Sequence, residues 1–273
     1  DVEHFDEVAD YKLMLQRLNR EGIEEISCEQ AVKQNIVSGK LIAYWLARLQ
    51  QFYEKCGIAK QKMRFRELDA EERAFYAKET WDFEVLTDLG WIELVACNYR
   101  TDYDLKGHSL GSKKDLSVRE DDKAFIPHVF ELSAGIDRTF YVVLDQAIRK
   151  EKRGKEERLY LNLPVQLAPY LIAVFPLVSK DGLPEKAHEV FNLLEDYEFF
   201  CIYDEKGSIG RRYARVDEIG VPYAITIDYD TMKDDTVTIR ERNTMKQKRV
   251  AIESLPELLW KLSVGKLSFE GIK

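Results

Sequence analysis

A run of charged residues from 149 to 158 divides this chain into two stretches whose hydrophobic patterns differ. The run holds six basic and three acidic residues, a composition typical of a solvated segment. A chain of 273 residues has room for two domains of ordinary size. We therefore predict a first domain over residues 1–150, a linker over 151–163 and a second domain over 164–273.

The first domain is expected to combine helices with an antiparallel hairpin. Apolar residues recur at three- and four-residue steps from 41 to 55, which predicts a helix. Ser27 and Gln30 have the spacing of a capping box at a helix start. Alternating residues on either side of Gly90 predict a hairpin over 83–95. Other expected elements are a turn and short helix over 1–20, a loop over 106–124, a strand over 128–132 and a helix over 135–148.

The second domain alternates strand and helix patterns. Strands are predicted over 170–178, 197–203, 223–229 and 236–241, and helices over 184–194 and 255–262. This alternation favours a small α/β sandwich with a mixed sheet. The fold class expected for the whole chain is therefore mixed α/β, of the α+β kind.

Composition excludes several classes of protein. Hydrophobic residues make up 45% and charged residues 33%, a globular balance rather than a disordered one. The longest apolar run, over 167–178, is interrupted by Pro169 and Pro176, so it is not typical of a membrane helix. The formal net charge of −8 limits any nucleic-acid binding to local patches. The start of the sequence lacks the basic and apolar stretches of a signal peptide, so a cytoplasmic location is expected.

Cysteine and histidine spacing predicts no metal site. Cys28, Cys56, Cys97 and Cys201 form no C-x-x-C pair, and the four histidines lack ligand spacing. A reduced, cytoplasmic protein without a structural metal is therefore expected.

Residues 130–138 hold the first set of polar residues with chemical potential. Glu131 and Ser133 would share one face of a strand, because strand side chains alternate with period two. Gly135 permits a turn into a helix whose first turn carries Arg138. A carboxylate suits a ligand ammonium, and an arginine suits phosphate. The alternative is a surface strand-to-helix turn with an internal Glu–Arg pair.

Glu93 lies among apolar neighbours, where a carboxylate is costly unless it is paired or functional. Arg100, Asp102 and Asp104 follow shortly after it. The residues alone leave open whether this group is a functional site or a structural ion pair.

Two basic patches lie in the second domain. A G-x-x-G segment at 207–210 is followed by Arg211, Arg212 and Arg215, which could hold a nucleic-acid backbone. Residues 240–249 carry five basic residues and one acidic residue. The patches favour an RNA partner, with an ordinary basic loop as the alternative.

Taken together, these segments resemble one family. Residues 76–82, 90–95 and 100–105 are similar to the catalytic domain of the homodimeric type of glycyl-tRNA synthetase. Residues 131–138 resemble motif 3 of the class II synthetases. Residues 207–220, 225–228 and 240–242 resemble the anticodon-binding domain. The resemblance implies a partial class II catalytic domain built on an antiparallel sheet, followed by an α/β anticodon-binding domain with a mixed sheet.

The resemblance also implies roles for single residues. Glu131 and Ser133 would contact glycine, Arg138 would pair with the ATP phosphates, and Glu93 and Leu94 would line the ATP site. Arg211, Arg212 and Arg215 would meet tRNA. The implied activity is ATP-dependent attachment of glycine to tRNA(Gly) through a glycyl-adenylate, with ATP used as its Mg²⁺ complex. The full-length protein would be a homodimer.

The resemblance does not extend to motifs 1 and 2. Glu3, His4 and Phe5 resemble the stretch just after motif 2, so Asp1 falls where the family has an acidic contact to glycine. Ala96 stands where the family usually has glycine, and the 106–124 loop is short where relatives carry an insertion. The chain alone is therefore expected not to activate ATP. The rival interpretation is a non-catalytic, synthetase-like nucleic-acid-binding protein, similar to the accessory subunit of mitochondrial DNA polymerase.

Overall fold

A computed structural model describes residues 2–154 and 156–272. The chain divides between Gln146 and Ala147 into two compact units. The division lies close to the predicted boundary at residue 150. No helix among the described residues is long and apolar enough to cross a membrane.

The first unit is built on a six-stranded sheet with the order β2-β1-β3-β4-β5-β8. Only the β1–β3 pair is parallel, and the other neighbours are antiparallel. The elements are β1 (Lys12–Gln16), β2 (Glu24–Ser27), α1 (Cys28–Lys33), α2 (Lys40–Lys55), β3 (Met63–Glu67), β4 (Glu79–Thr87), β5 (Gly90–Thr101), α3 (Tyr103–Ser112), β6 (Val118–Glu120), β7 (Lys123–Phe125), β8 (Val129–Ala134) and α4 (Ile136–Ala147).

Alternation along the strands gives this sheet one apolar face. Trp81, Phe83 and Val85 of β4 belong to one buried core together with residues of α1, α2 and α4. The intervening residues of β4 face the other way, because strand side chains alternate. The expected helix cap at Ser27 is confirmed, since the Ser27 side chain accepts from the Gln30 N–H at 3.2 Å.

Two sequence expectations for this unit are wrong. The short helix predicted within residues 1–20 is strand β1, because the buried pair Leu13 and Leu15 follows the two-residue period of a strand. The loop predicted over 106–124 contains most of α3 and the separate hairpin β6–β7. The glycines and charges of this segment masked its local structure.

The second unit holds a five-stranded mixed sheet with the order β12-β11-β13-β14-β15. The first three strands are parallel, and β14 and β15 are antiparallel additions. The elements are β9 (Ile148–Arg153), β10 (Glu156–Leu161), β11 (Ile172–Pro176), α5 (Leu183–Asp196), β12 (Cys201–Tyr203), α6 (Ile209–Glu218), β13 (Tyr223–Ile227), α7 (Thr231–Asp234), β14 (Thr236–Glu241), β15 (Gln247–Ala251) and α8 (Leu255–Ser263). The predicted fold class is confirmed in both units.

The linker expected over 151–163 is largely a hairpin of this unit. Strands β9 and β10 pair in antiparallel register, from Ile148 opposite Leu161 to Arg153 opposite Glu156. Arg158 is drawn inward by Asp217 of α6, which it contacts at 2.9 Å. The charged segment is therefore ordered in part by an ion pair between Arg158 and the buried Asp217. Lys155 lies outside the described residues.

Candidate functional site

The face of the first sheet opposite its core carries polar side chains in cross-strand rows. One row runs from Thr80 through Asn98 to Glu131, across β4, β5 and β8. The next row runs from Asp82 through Ala96 to Ser133. Directly opposed residues project to the same face of a sheet. The predicted pair of Glu131 and Ser133 therefore shares this surface, here named the polar face, with residues of β4 and β5.

Glu131 pairs with Arg100 of the neighbouring strand. The NH1 group of Arg100 donates to Glu131 Oε2, while its Nε and NH2 groups each contact Asp104 at 2.6 Å. The guanidinium carbon lies 3.8 Å from the centre of the Tyr76 ring. Hydrogen bonds to Asp104 raise the pKa of Arg100, so its charge is fixed. This arrangement holds one oxygen of Glu131 in place.

Arg138 meets Glu93 rather than Glu131. Its NH1 group donates to the Glu93 carbonyl oxygen at 3.0 Å and lies 3.5 Å from Glu93 Oε2. Both side chains remain substantially exposed, at 58% and 43%. The internal Glu131–Arg138 pair considered from the sequence is therefore replaced by two pairs with β5. The guanidinium of Arg138 stays accessible to a ligand.

The side chain of Leu94 does not line this surface. A register shift between Phe83 and Glu84 marks an irregularity in the β4–β5 pairing, and Leu94 lies in the apolar core with 1% exposure. Its carbonyl oxygen accepts from the Gly135 N–H at 2.9 Å. The expected ATP contact is therefore corrected for the Leu94 side chain. Glu93 lies beside it with an exposed carboxylate.

A charged network that was not predicted from the sequence is centred on Arg66 of β3. Arg66 contacts Asp82 at 3.2 Å, Glu84 at 3.1 Å and Glu72 at 2.9 Å. Arg64 completes it, through a 2.6 Å hydrogen bond to Glu84 and a 3.9 Å approach to the Trp91 ring. Polar residues at every second position of β3 and β4 could have revealed this network.

Asp82 is the most perturbed carboxylate of the polar face. Burial is the largest cause, and the negative charge of Glu93 adds to it, so that the pKa of Asp82 rises to about 6. Arg66 lowers the pKa and only partly offsets these effects. Such a shift in a cluster of charged groups is typical of functional sites.

The three arginines predicted to bind RNA in the second unit have different environments. They lie on helix α6 and not on a loop, because the helix begins at Ile209. Arg211 is exposed. Arg215 is partly exposed, and its Nε donates to Asp204 Oδ2 at 3.0 Å.

The prediction that Arg212 contacts RNA is wrong. It is 1% exposed, and its guanidinium donates to the carbonyl oxygens of Pro176 and Leu177. Burial lowers its pKa. A side chain so enclosed and bonded to the backbone cannot reach a nucleic acid, so Arg212 has a structural role.

Part of the basic segment 240–249 is also structural. Arg240 is buried and donates twice to Asp217, at 2.9 Å each. Arg242 is buried as well, and it donates to the carbonyl oxygens of Gly220 and Leu163. Arg249 pairs with Asp228, whose pKa falls to about 2 as a consequence of this and neighbouring hydrogen bonds. The exposed positive surface is therefore smaller than the sequence indicated.

Within the described part of the chain, no group of three or more histidine, cysteine or acidic side chains is arranged to hold a metal ion. Asp1, which aligns with an acidic glycine contact of the family, lies outside the described residues.

Comparisons with known proteins give two findings. Residues 171–262 match a family model described as an anticodon binding domain. The chain is also similar to curated proteins named glycine–tRNA ligase: 34% identity in Pyrococcus horikoshii and 35% in Thermococcus gammatolerans, each over 96% of this chain and 60% of the relative. The relative from Archaeoglobus fulgidus is 35% identical over 87% of this chain and 54% of its own length.

The chain therefore spans about 60% of the length of the first two relatives. Their alignments extend over 344 residues, more than the 273 residues of this chain. The relatives thus carry residues within the aligned region that this chain lacks.

Proposed function

We propose that the protein takes part in ATP-dependent attachment of glycine to tRNA(Gly), because 96% of this chain is similar to curated proteins named glycine–tRNA ligase. The observation that carries this proposal is the polar face of the first unit. Glu131 and Ser133 project from it side by side on β8, and Arg138 follows in the first turn of α4. An acceptor pair for an ammonium therefore lies one strand-to-helix turn from a donor for phosphate.

These residues suit a two-step acyl transfer. The glycine carboxylate attacks the α-phosphate of ATP and pyrophosphate leaves. A hydroxyl at the 3′ end of the tRNA then attacks the carbonyl carbon of the glycyl-adenylate, and AMP leaves. Glu131 would bind the glycine ammonium, with Ser133 as a further acceptor. Arg138 and Glu93 would lie at the nucleotide, which enters as its Mg²⁺ complex. The chemistry needs no covalent enzyme nucleophile, so positioning and charge stabilisation account for the rate.

The second unit would supply the tRNA contact. Its match to an anticodon binding domain supports this role, and Arg211 and Arg215 are the arginines of α6 that remain accessible. We infer a homodimer in the full-length protein and a cytoplasmic location, on the same family resemblance.

Glycine-dependent ATP–pyrophosphate exchange tests the catalytic proposal, measured on the protein at its natural length. Glu131→Gln keeps the size of the side chain and removes its charge. We expect it to abolish exchange and to leave tRNA binding unchanged. Glu120→Gln, an exposed carboxylate in the β6–β7 hairpin, is the matched control.

Exchange at the wild-type rate in the Glu131→Gln protein would contradict the proposal that Glu131 binds glycine. Absence of exchange from the wild-type protein, together with intact tRNA binding, would instead favour the non-catalytic nucleic-acid-binding function.

A further inference from the structure

Four polar atoms with unused hydrogen-bonding capacity surround Ala96 on the polar face. Asp82 and Ser133 flank Ala96 directly, and Asn98 and Glu131 occupy the adjoining row. Asp82 Oδ1, Asn98 Nδ2, Ser133 Oγ and Glu131 Oε1 have no hydrogen-bond partner among residues 2–154 and 156–272. Their companion oxygens on Asp82, Asn98 and Glu131 are bonded, which orients each group.

The groups are held rather than mobile. The Asp82 side chain is only 10% exposed, and its Oδ2 accepts from Arg66 at 3.2 Å. Asn98 is 6% exposed, and its Oδ1 accepts from the Thr80 hydroxyl at 2.9 Å. Buried polar groups in proteins normally have partners. The free atoms of Asp82 and Asn98 are not among the fully enclosed polar atoms of the described residues, so these oriented groups are open to a ligand.

Ala96 leaves space between the flanking strands. Neighbouring strands are about 4.8 Å apart, so β4 and β8 are separated by roughly 10 Å with β5 between them. A methyl group on β5 projects much less than the side chains on either side. The small side chain of Ala96 therefore leaves space for a small group between Asp82 and Ser133.

The charge of the polar face favours a cationic group. Its ionised side chains are four arginines and six carboxylates, namely Arg64, Arg66, Arg100 and Arg138 against Glu72, Asp82, Glu84, Glu93, Asp104 and Glu131. Carboxylates therefore outnumber arginines in this group of ion pairs. An ammonium group would be attracted to this surface.

We propose that Asp82 and Asn98 complete the binding site for a small α-amino acid, with Asp82 sharing the ammonium with Glu131 and Ser133, and Asn98 donating to the carboxylate. This inference rests on the proposed function for the choice of an amino acid as ligand. It adds two binding residues that neither the motifs nor the family resemblance indicated. The methyl group of Ala96 would form the floor and limit the size of the ligand side chain.

The test measures glycine binding by calorimetry and the KM values for glycine and ATP in the exchange reaction. The variants are Asp82→Asn and Asn98→Ala, with Asp88→Asn in the exposed β4–β5 turn as the matched control. Asp82→Asn should preserve the fold, because Arg66 keeps its contacts to Glu72 and Glu84. A charge-assisted hydrogen bond corresponds to about a ten- to hundredfold change in affinity, and a neutral one to about fivefold.

We expect Asp82→Asn to weaken glycine binding about ten- to hundredfold and Asn98→Ala about fivefold, with the KM for ATP unchanged in both. A purely structural role would instead alter both KM values together. Wild-type affinity for glycine in both variants would overturn the inference while leaving the proposed function intact. Failure of the wild-type protein to bind glycine would contradict the proposed function itself. If Asp82→Asn fails to fold, the glycine-specific effect of Asn98→Ala decides the question.

Discussion

Arg100 and Glu131 lie on adjacent strands of the first unit, and the Arg100 guanidinium donates a hydrogen bond to Glu131 Oε2. The same guanidinium holds Asp104 with its two remaining nitrogen positions. The planar fork of one arginine thus fixes one oxygen of Glu131 and leaves the other available to a ligand.

Arg100→Lys should raise the KM for glycine about tenfold with little change in the KM for ATP. Lysine retains the charge but cannot bond Asp104 and Glu131 in the same geometry, so Glu131 loses its fixed orientation. Steady-state exchange kinetics measure both constants. Arg119→Lys, on the exposed β6 strand, should match the wild-type protein. An equal rise in both KM values would point to a general loss of structure instead.

Glycine binding should weaken as the pH falls through about 6. Burial and the charge of Glu93 raise the pKa of Asp82 to about 6, and protonation below that pH removes the negative charge that would attract the ammonium. The dissociation constant should therefore increase up to tenfold per pH unit below 6. The charged groups that act on the pKa of Asp82 are Glu93 of β5, Arg66 of β3 and Glu84 of β4.

The Asp82→Asn protein should bind glycine weakly at every pH, and its affinity should no longer change near pH 6. Calorimetric titration of glycine between pH 5 and 8 provides the comparison, with those limits set roughly one unit or more from the pKa. A dependence that survives in Asp82→Asn would assign the titration to another group.

Arg211→Ala and Arg212→Ala should affect different properties, the first tRNA binding and the second stability. Removal of exposed Arg211 should weaken tRNA(Gly) binding and reduce the slope of log K against log salt by about 0.7, with the melting temperature unchanged. Removal of Arg212 leaves buried carbonyl oxygens without donors and should lower the free energy of unfolding by roughly 2–4 kcal/mol. Binding at several salt concentrations and thermal unfolding separate the two effects. A stable Arg212→Ala protein with a reduced salt slope would restore its predicted RNA contact.

Asp217→Asn should strongly destabilise the second unit. Asp217 is the shared partner of Arg158 and Arg240, and the side chains of Asp217 and Arg240 are each 3% exposed. Loss of its charge leaves two enclosed arginines with reduced compensation and should cost roughly 3–5 kcal/mol. Denaturant unfolding checks this, with Glu218→Gln on the exposed side of the same helix as control. An unfolding free energy equal to the control would show that Asp217 is not needed to hold the arginines.

Local periodicity determined which residues share a face. The helical repeat of residues 41–55 and the cap at Ser27 were readable because both depend on neighbours within one turn. Alternation around Gly90 likewise predicted the hairpin of β4 and β5. The same two-residue period along β8 placed Glu131 and Ser133 on one face of that strand. The family resemblance then indicated the glycine and ATP roles from motifs in order along the chain.

Only the tertiary structure decided which faces meet and which charges are enclosed. Arg100 and Glu131 are 31 positions apart in sequence and become partners through strand pairing. Strand pairing also places Asp82 and Ser133 in the same row, on either side of Ala96. Arg211 and Arg212 are neighbours in the same basic motif, yet helix α6 exposes one and buries the other. A residue's own element fixes the direction of its side chain. The elements packed against it determine its partners, its burial and therefore its pKa, because these depend on contacts between distant parts of the chain.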